Sequence, residues 1–195
     1  VIQPNFRGSA GYGSRFLSAG FGEWGRAMQD DITDATQWVI DQGFADPERI
    51  CIVGGSFGGY ASLMGVIQHP ELYQCAVSLN GVTDMPRLWK DQKKYIGGTY
   101  RLQAIKPTDD ETSLRDISPR HNADKISDPV LIIQGDVDRS VIVYHGRRMQ
   151  KSLKKAKVKH KYIEQENGDH SLSYQPNSIE FLEKMGVFLE EHLNI

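Results

Sequence analysis

What this chain lacks narrows its chemistry before any motif is read. Of 195 residues only two are cysteine, Cys51 and Cys75. Both fall in apolar runs that read as buried strands. The expectation is therefore two small core thiols and no structural disulfide framework. No Cys/His cluster has the spacing of a zinc site, and no metal or cofactor is implied. A charge excess is missing too. The formal net charge is −2, which gives no electrostatic ground for a nucleic-acid or membrane partner. No apolar run approaches the length of a membrane span. Internal repeats and low-complexity tracts are absent. There is no initiator Met: the chain opens with Val1-Ile2-Gln3, which reads as the end of a strand. That opening suggests a piece of a longer chain, so a missing leader leaves the compartment open.

What is there suits a soluble globular domain: 39% of residues are hydrophobic and 25% charged, with length enough for one good core. Pro4 to Gly13 is a Gly-rich loop. It lacks the strand-plus-helix context of a phosphate-binding loop, which argues against a nucleotide site. From Glu23 to Gly43, the residues Trp24, Met28, Ile32, Ala35, Val39 and Ile40 recur at helical spacing, and Gly43 stops the run. Asp46 to Arg49 reads as a turn. Strands are expected at Ile50–Val53, Cys75–Leu79, Pro129–Gln134 and Lys159–Ile163. Helices are expected behind Gly59, over Val141–Ala156 with a basic solvated face, and over Ser178–Leu193. In the last of these, Ile179, Leu182, Met185, Gly186 and Leu189 share a face. The stretch 80–128 is the least regular. It carries Trp89, Tyr95, Gly97-Gly98, Tyr100 and the acidic Asp109-Asp110-Glu111, and reads as short helices and loops on the cap side. Strands alternating with helices predict an α/β fold, a mainly parallel sheet with helices on both faces.

The chain is organised around Arg49-Ile50-Cys51-Ile52-Val53-Gly54-Gly55-Ser56-Phe57-Gly58-Gly59-Tyr60. An apolar strand runs into a Gly-rich turn and then into a helix. This is the context of a nucleophile elbow, G-x-S-x-G, in which the serine sits on a strained corner and its hydroxyl projects above the sheet. Gly54 and Gly58 complete the pattern, and Gly55 and Gly59 add clearance where strand and helix pass close. A serine hydroxyl needs a general base, and the base needs an orienting carboxylate. In parallel sheets such groups gather beyond the C-terminal strand ends. Ser56, Asp138 and His170 lie in loops at such ends, in the order Ser, acid, His. Of the six histidines, His69 ends a helix, His121, His145 and His192 fall in surface positions, and His160 lies within a strand. His170 alone follows the fourth strand in a loop. For the acid, Asp136 competes with Asp138. Asp136 would cap the turn, and Asp169 adjoins the histidine.

Four motifs together make the chain resemble the catalytic domain of the prolyl oligopeptidase family of serine peptidases. They are Asn5-Phe6-Arg7-Gly8-Ser9-Ala10-Gly11-Tyr12-Gly13, Gly54 to Tyr60, Gly135-Asp136-Val137-Asp138-Arg139-Ser140-Val141, and Asp169-His170. The resemblance covers nearly the whole chain and is nearest to acylaminoacyl peptidases and dipeptidyl peptidases. It implies the α/β-hydrolase fold, Ser56 as nucleophile, Asp138 as acid in preference to Asp136, and His170 as base. It further implies the Phe57 amide as an oxyanion donor, and Phe57, Val82 and Met85 as lining of the substrate pocket. The substrate class implied is oligopeptides.

Departures from the family pattern add expectations of their own. Ser140 stands where dipeptidyl peptidases commonly carry Asn, which argues against strict dipeptide release. Ser171 replaces a frequent glycine. The family's second oxyanion donor, a strand beside the elbow strand and an upstream β-propeller all lie outside this sequence. The expectation is thus a C-terminal part of a longer protein, weakly active or inactive alone, with an unpaired sheet edge open to pairing with another copy. A carboxylesterase on the same triad and an inactive hydrolase-fold fragment are the alternatives.

Overall fold

Four short apolar runs become four strands in the computed structural model of the chain, which describes residues 1–93, 105 and 111–194. They are β1 (Cys51–Gly55), β2 (Cys75–Leu79), β3 (Val130–Gly135) and β4 (His160–Gln165). The order is β1-β2-β3-β4 and every neighbouring pair is parallel. All four C-terminal ends therefore point the same way, and the loops after Gly55, Leu79, Gly135 and Gln165 collect along one rim. Among the described strands β1 bonds to β2 alone, so its outer edge carries no strand, and Val53 on it is exposed.

The described residues separate into two compact units, Asp46–Asp84 with Ser118–Ile195, and Val1–Ala45 with Met85–Ile117. The first holds the sheet. Its helices are α3 (Phe57–Gln68), α6 (Tyr144–Ala156) and α7 (Gln175–Leu193), with a 3₁₀ stretch at Pro119–Lys125. The crossovers β1–β2, β2–β3 and β3–β4 all step in one direction. Right-handed crossovers then place their connecting elements on one face, and α3, α6 and the 3₁₀ stretch do pack together there. The other face is left to α7. The period-two alternation of the strands serves both. Cys75, Val77, Leu131 and Ile133 meet Phe188 of α7, with Phe181, Met185 and Leu189 packed at the margin. Gln134 turns to the opposite side, beneath Gly146 of α6.

The second unit holds α1 (Ser14–Ser18), α2 (Ala27–Asp41), α4 (Met85–Gln92) and α5 (Glu111–Asp116). Its Gly-rich loop is tied to α2 by Arg7. The Arg7 guanidinium donates to both carboxylate oxygens of Asp31 at 2.7 and 2.6 Å, and the Arg7 amide adds a third bond at 2.8 Å. These bonds hold the Asp31 carboxyl below its ordinary range. The one arginine of the loop is thus engaged by a carboxylate, as a structural loop requires. Gly8 passes so close to Gly20 that a Cβ on Gly20 would lie 2.6 Å from the Gly8 α-carbon.

Several expectations need correction. Cys51 and Cys75 are joined by a disulfide. They are directly opposite in the β1–β2 register, with α-carbons 4.7 Å apart. Two strands adjacent in space but 24 residues apart along the chain made this pairing invisible to cysteine counting. Val1 to Gln3 is not part of a strand in the described fold. The first long helix starts at Ala27 rather than near Glu23. Of the face expected in α7, Met185 and Leu189 do pack with Phe181 at the margin of the core around Phe188, whereas Ile179 and Leu182 are exposed. His145 is buried, and the His192 ring lies against Phe188, so neither is a surface histidine. Tyr95, Gly97, Gly98, Tyr100, Asp109 and Asp110, and the side chain of Glu111, lie outside the described residues.

The disulfide closes a loop of 24 residues, which in the chain-entropy account stabilises by about 3 kcal/mol. Reduction with dithiothreitol is expected to lower the denaturation midpoint, and an unchanged midpoint would show that the bridge contributes nothing. Asp128, just before β3, is pushed up to about 6 by burial, and its Oδ2 has no hydrogen-bond partner among the described residues. A carboxyl raised in the folded state binds protons on folding between about pH 4 and pH 6, so its cost is full above pH 6 and gone below pH 4. Asp128→Asn is expected to raise the melting temperature at pH 7 and to change it little near pH 4, read by thermal melts at both.

Candidate active site

The site is built from three strand ends of the sheet-bearing unit. At the end of β1 the chain turns through Ser56, whose φ of 55° lies in the left-handed region that non-glycine residues rarely occupy. The corner is held on both sides. The Ser56 amide donates to the Leu79 carbonyl at 2.9 Å, and the Ser56 carbonyl accepts from the Tyr60 amide at 3.1 Å as α3 begins. The sharpness of the turn explains two of its glycines. A Cβ on Gly54 would lie 2.6 Å from the Gly58 α-carbon, so strand and helix cross with backbone against backbone. A Cβ on Gly59 would meet the Ser78 Oγ at 2.8 Å and the Gly81 α-carbon at 2.9 Å. The expected clearance role does not extend to the other two. Gly55 faces Leu79 at an ordinary 3.8 Å, and a Cβ on Gly58 would point into open space.

Asp138 stands in the loop after β3. Its side chain is wholly buried, a costly position for a carboxylate unless each oxygen is bonded. Both are. Oδ1 accepts from the amides of Ser140 at 2.7 Å and Val141 at 2.9 Å, so Asp138 itself caps the turn. Oδ2 lies 2.7 Å from His170 Nδ1. Asp136 does not cap that turn, and its buried Oδ1 has no hydrogen-bond partner among the described residues.

His170 stands in the loop after β4, its ring about one quarter exposed (26%). Its Nε2 is 2.9 Å from Ser56 Oγ. A carboxylate only accepts, so Nδ1 carries the proton toward Asp138, and Nε2 of the neutral ring is left to accept from the serine hydroxyl. Asp169 turns away and bonds the amides of Ser171 at 3.2 Å and Ser173 at 2.9 Å. The Ser173 side chain, together with these amides, holds its carboxyl below the ordinary range.

Phe57 is the first residue of α3, and amides in a first turn have no acceptor within their own helix. Val82 is buried in the loop after β2. Met85, also buried, opens α4 in the other unit. Sequence reasoning missed how the acid and histidine loops are joined. The Asp136 amide donates to the Gln165 carbonyl at 3.1 Å and the Val137 amide to the Gly168 carbonyl at 3.1 Å. Gly135 and Gly168 pass so close that a Cβ on Gly168 would lie 2.8 Å from the Gly135 α-carbon. The signal available in the sequence was one glycine in each loop, which by itself named no contact. Asn80 was missed as well, having been read only as the start of an irregular stretch.

The two motif glycines should respond oppositely to a methyl group. Gly54→Ala forces backbone apart and is expected to destabilise by about 1–3 kcal/mol. Gly58→Ala meets nothing, lies in a helix, and is expected to be neutral or stabilising by up to about 1 kcal/mol. Chemical denaturation of both variants checks this, and equal effects would contradict the packing described.

The model of the prolyl oligopeptidase family matches residues 1–195. The chain is 32% identical over 204 residues to dipeptidyl peptidase family member 6 of Caenorhabditis elegans, covering 99% of this chain and 27% of that protein. It is 28% identical over 204 residues to acylamino-acid-releasing enzyme 1 of Oryza sativa subsp. japonica, covering 100% of this chain and 26% of the relative. Among solved structures, a puromycin-hydrolyzing peptidase of Mycobacterium tuberculosis superimposes with a TM-score of 0.89 at 28% identity, over 97% of this chain and 29% of that one. The chain thus spans little more than a quarter of the length of these relatives. A match running from the first residue to the last, a superposition over 97% of the chain and a relative at 32% identity leave one assignment: the chain belongs to the prolyl oligopeptidase family, as a stretch of its peptidase S9 catalytic domain.

Proposed function

We propose that the chain carries the catalytic apparatus of a serine peptidase that cleaves oligopeptides through an acyl-enzyme. One observation carries this reading: the unbroken hydrogen-bonded line from Ser56 Oγ to His170 Nε2, at 2.9 Å, and from His170 Nδ1 to Asp138 Oδ2, at 2.7 Å. Nothing in a structural or binding role requires those three groups in that line. Relatives named as a dipeptidyl peptidase and an acylamino-acid-releasing enzyme support peptide substrates over simple esters.

In this mechanism Ser56 Oγ attacks the peptide carbonyl carbon while its proton passes to His170 Nε2. The imidazolium that forms is stabilised by the buried Asp138 carboxylate. The carbonyl oxygen becomes an oxyanion, for which the Phe57 amide at the head of α3 is the proposed donor. Collapse breaks the C–N bond, and the Nε2 proton leaves with the amine. Water then attacks the acyl-Ser56 ester, gives its proton to Nε2, and the acid product departs as the proton returns to Oγ. Val82 is proposed to line the pocket for the residue before the scissile bond.

Labelling by a fluorophosphonate probe tests the reading. Ser56→Ala and His170→Ala are each expected to lose labelling and to cut turnover of peptide anilides by at least about 10³-fold. Asp138→Asn is expected to lose about 10⁴-fold, with the ring no longer held in the required tautomer. A Ser56→Ala chain that still labels, or refusal of the probe both by this chain and by a longer one of its relatives' length, would overturn the proposal. Faster turnover of p-nitrophenyl esters than of any peptide anilide would move the reading to an esterase.

A further inference from the structure

The loop that carries His170 is tied down before and after the histidine by different means. Ahead of it, the carbonyls of Gln165 and Gly168 accept from the acid loop. Behind it, the Asp169 side chain gathers the amides of Ser171 and Ser173. At the histidine itself the described backbone ties come from one side chain. Asn80 Nδ2 donates to the Asp169 carbonyl at 3.1 Å and to the His170 carbonyl at 3.3 Å, the two carbonyls that flank the His170 α-carbon. Its Oδ1 accepts from the Gly135 amide at 2.8 Å, at the point where β3 ends and the Asp138 loop begins. The Asn80 amide donates to the Ile133 carbonyl at 2.9 Å, anchoring the residue to the same strand.

We infer that Asn80 is a positioning residue, which sets the His170 backbone against the end of β3 and so fixes the imidazole between Ser56 and Asp138. The inference rests on the serine-peptidase reading above. Three features favour asparagine for the task. Its φ of 48° lies in the left-handed region, which asparagine tolerates better than other side chains. The side chain is buried, with only 1% of the residue exposed, so its bonds are made without competing water. Its orientation follows from its partners: an N–H at Gly135 requires the oxygen, and two carbonyls require the nitrogen. No other side chain offers one acceptor and two donors on a stem this short. Catalytic alignment is sensitive to shifts of about 1 Å, so freeing the histidine carbonyls should act on the chemical step and spare binding.

Two variants separate the side chain from the backbone. Asn80→Gly keeps the left-handed φ and removes all three side-chain bonds. Asn80→Asp is isosteric and keeps the acceptor for Gly135, but sets a carboxylate oxygen against two carbonyl oxygens. In each variant that folds by near-ultraviolet circular dichroism, kcat on a peptide anilide is expected to fall about 10- to 100-fold with KM within about twofold. A residue that acts through His170 should also have no effect where His170 is gone. Asn80→Asp added to His170→Ala is therefore expected to leave the residual rate unchanged, whereas general damage to the fold would lower it further. Wild-type kcat in a folded variant, or the same loss in the His170→Ala background, would overturn the inference. Ser56→Ala, assayed alongside, keeps the two proposals apart. If it retains labelling, the peptidase reading fails. If it loses labelling while Asn80→Gly and Asn80→Asp match wild type, the role of Asn80 alone fails.

Discussion

The crossing of β1 and α3 at Gly54 and Gly58 governs the geometry of everything above it. Because one residue of the pair presents no Cβ to the other, strand and helix meet within backbone contact, and the chain must reverse over a single residue between them. That residue is Ser56, held at φ 55°. Left-handed backbone in a non-glycine residue costs of order 1–3 kcal/mol, which the bonds from Ser56 to Leu79 and from Tyr60 to Ser56 help to offset. The strain is local and has a consequence. The hydroxyl stands above the sheet rim, where the loops from β3 and β4 can reach it.

A second constraint organises the other half of the site. The sheet rim spaces its loops at strand separation, too far apart for three short side chains to meet unless the loops lean together. They lean because Gly135 and Gly168 lack side chains at their contact, because the amides of Asp136 and Val137 bond to the histidine loop, and because Asn80 bridges both. Asp138 then serves two purposes with one carboxylate. Oδ1 closes its own turn and Oδ2 orients the ring of His170. A wholly buried acid with every bond directed has little freedom to rotate, which suits a group whose work is to hold another.

Much of this was legible in the sequence where local patterns dominate. The boundaries of β2 matched residue for residue, the elbow, the basic face of α6 and the placing of Ser56 and His170 were read from spacing and turn chemistry, and the preference for Asp138 over Asp136 came from the family resemblance. The misreadings arose where packing chose between equal local patterns. In α7 two apolar stripes lie side by side, and only contact with Cys75, Val77, Leu131 and Ile133 selected the one containing Phe188. His145 looked like a surface residue of an amphipathic helix. Its Nδ1 instead accepts from the Thr83 amide at 3.1 Å and the Asp84 amide at 3.3 Å, both from a loop far away in the chain.

By itself the sequence determined the alternation of strands and helices, the strained serine corner and the placing of a serine, an acidic loop and a histidine at strand ends. Each depends on neighbours within a few positions: apolar period, glycine placement, the residue types at strand ends. Tertiary structure alone decided the rest. It set Cys51 opposite Cys75 and made a disulfide of two cysteines read as core thiols. It brought Oδ2 of Asp138, rather than Asp136, to the histidine ring, and it aimed the amide of Asn80 at the carbonyls around His170. Those outcomes depend on register between strands and on the approach of loops distant in the chain, and no short-range pattern encodes either one.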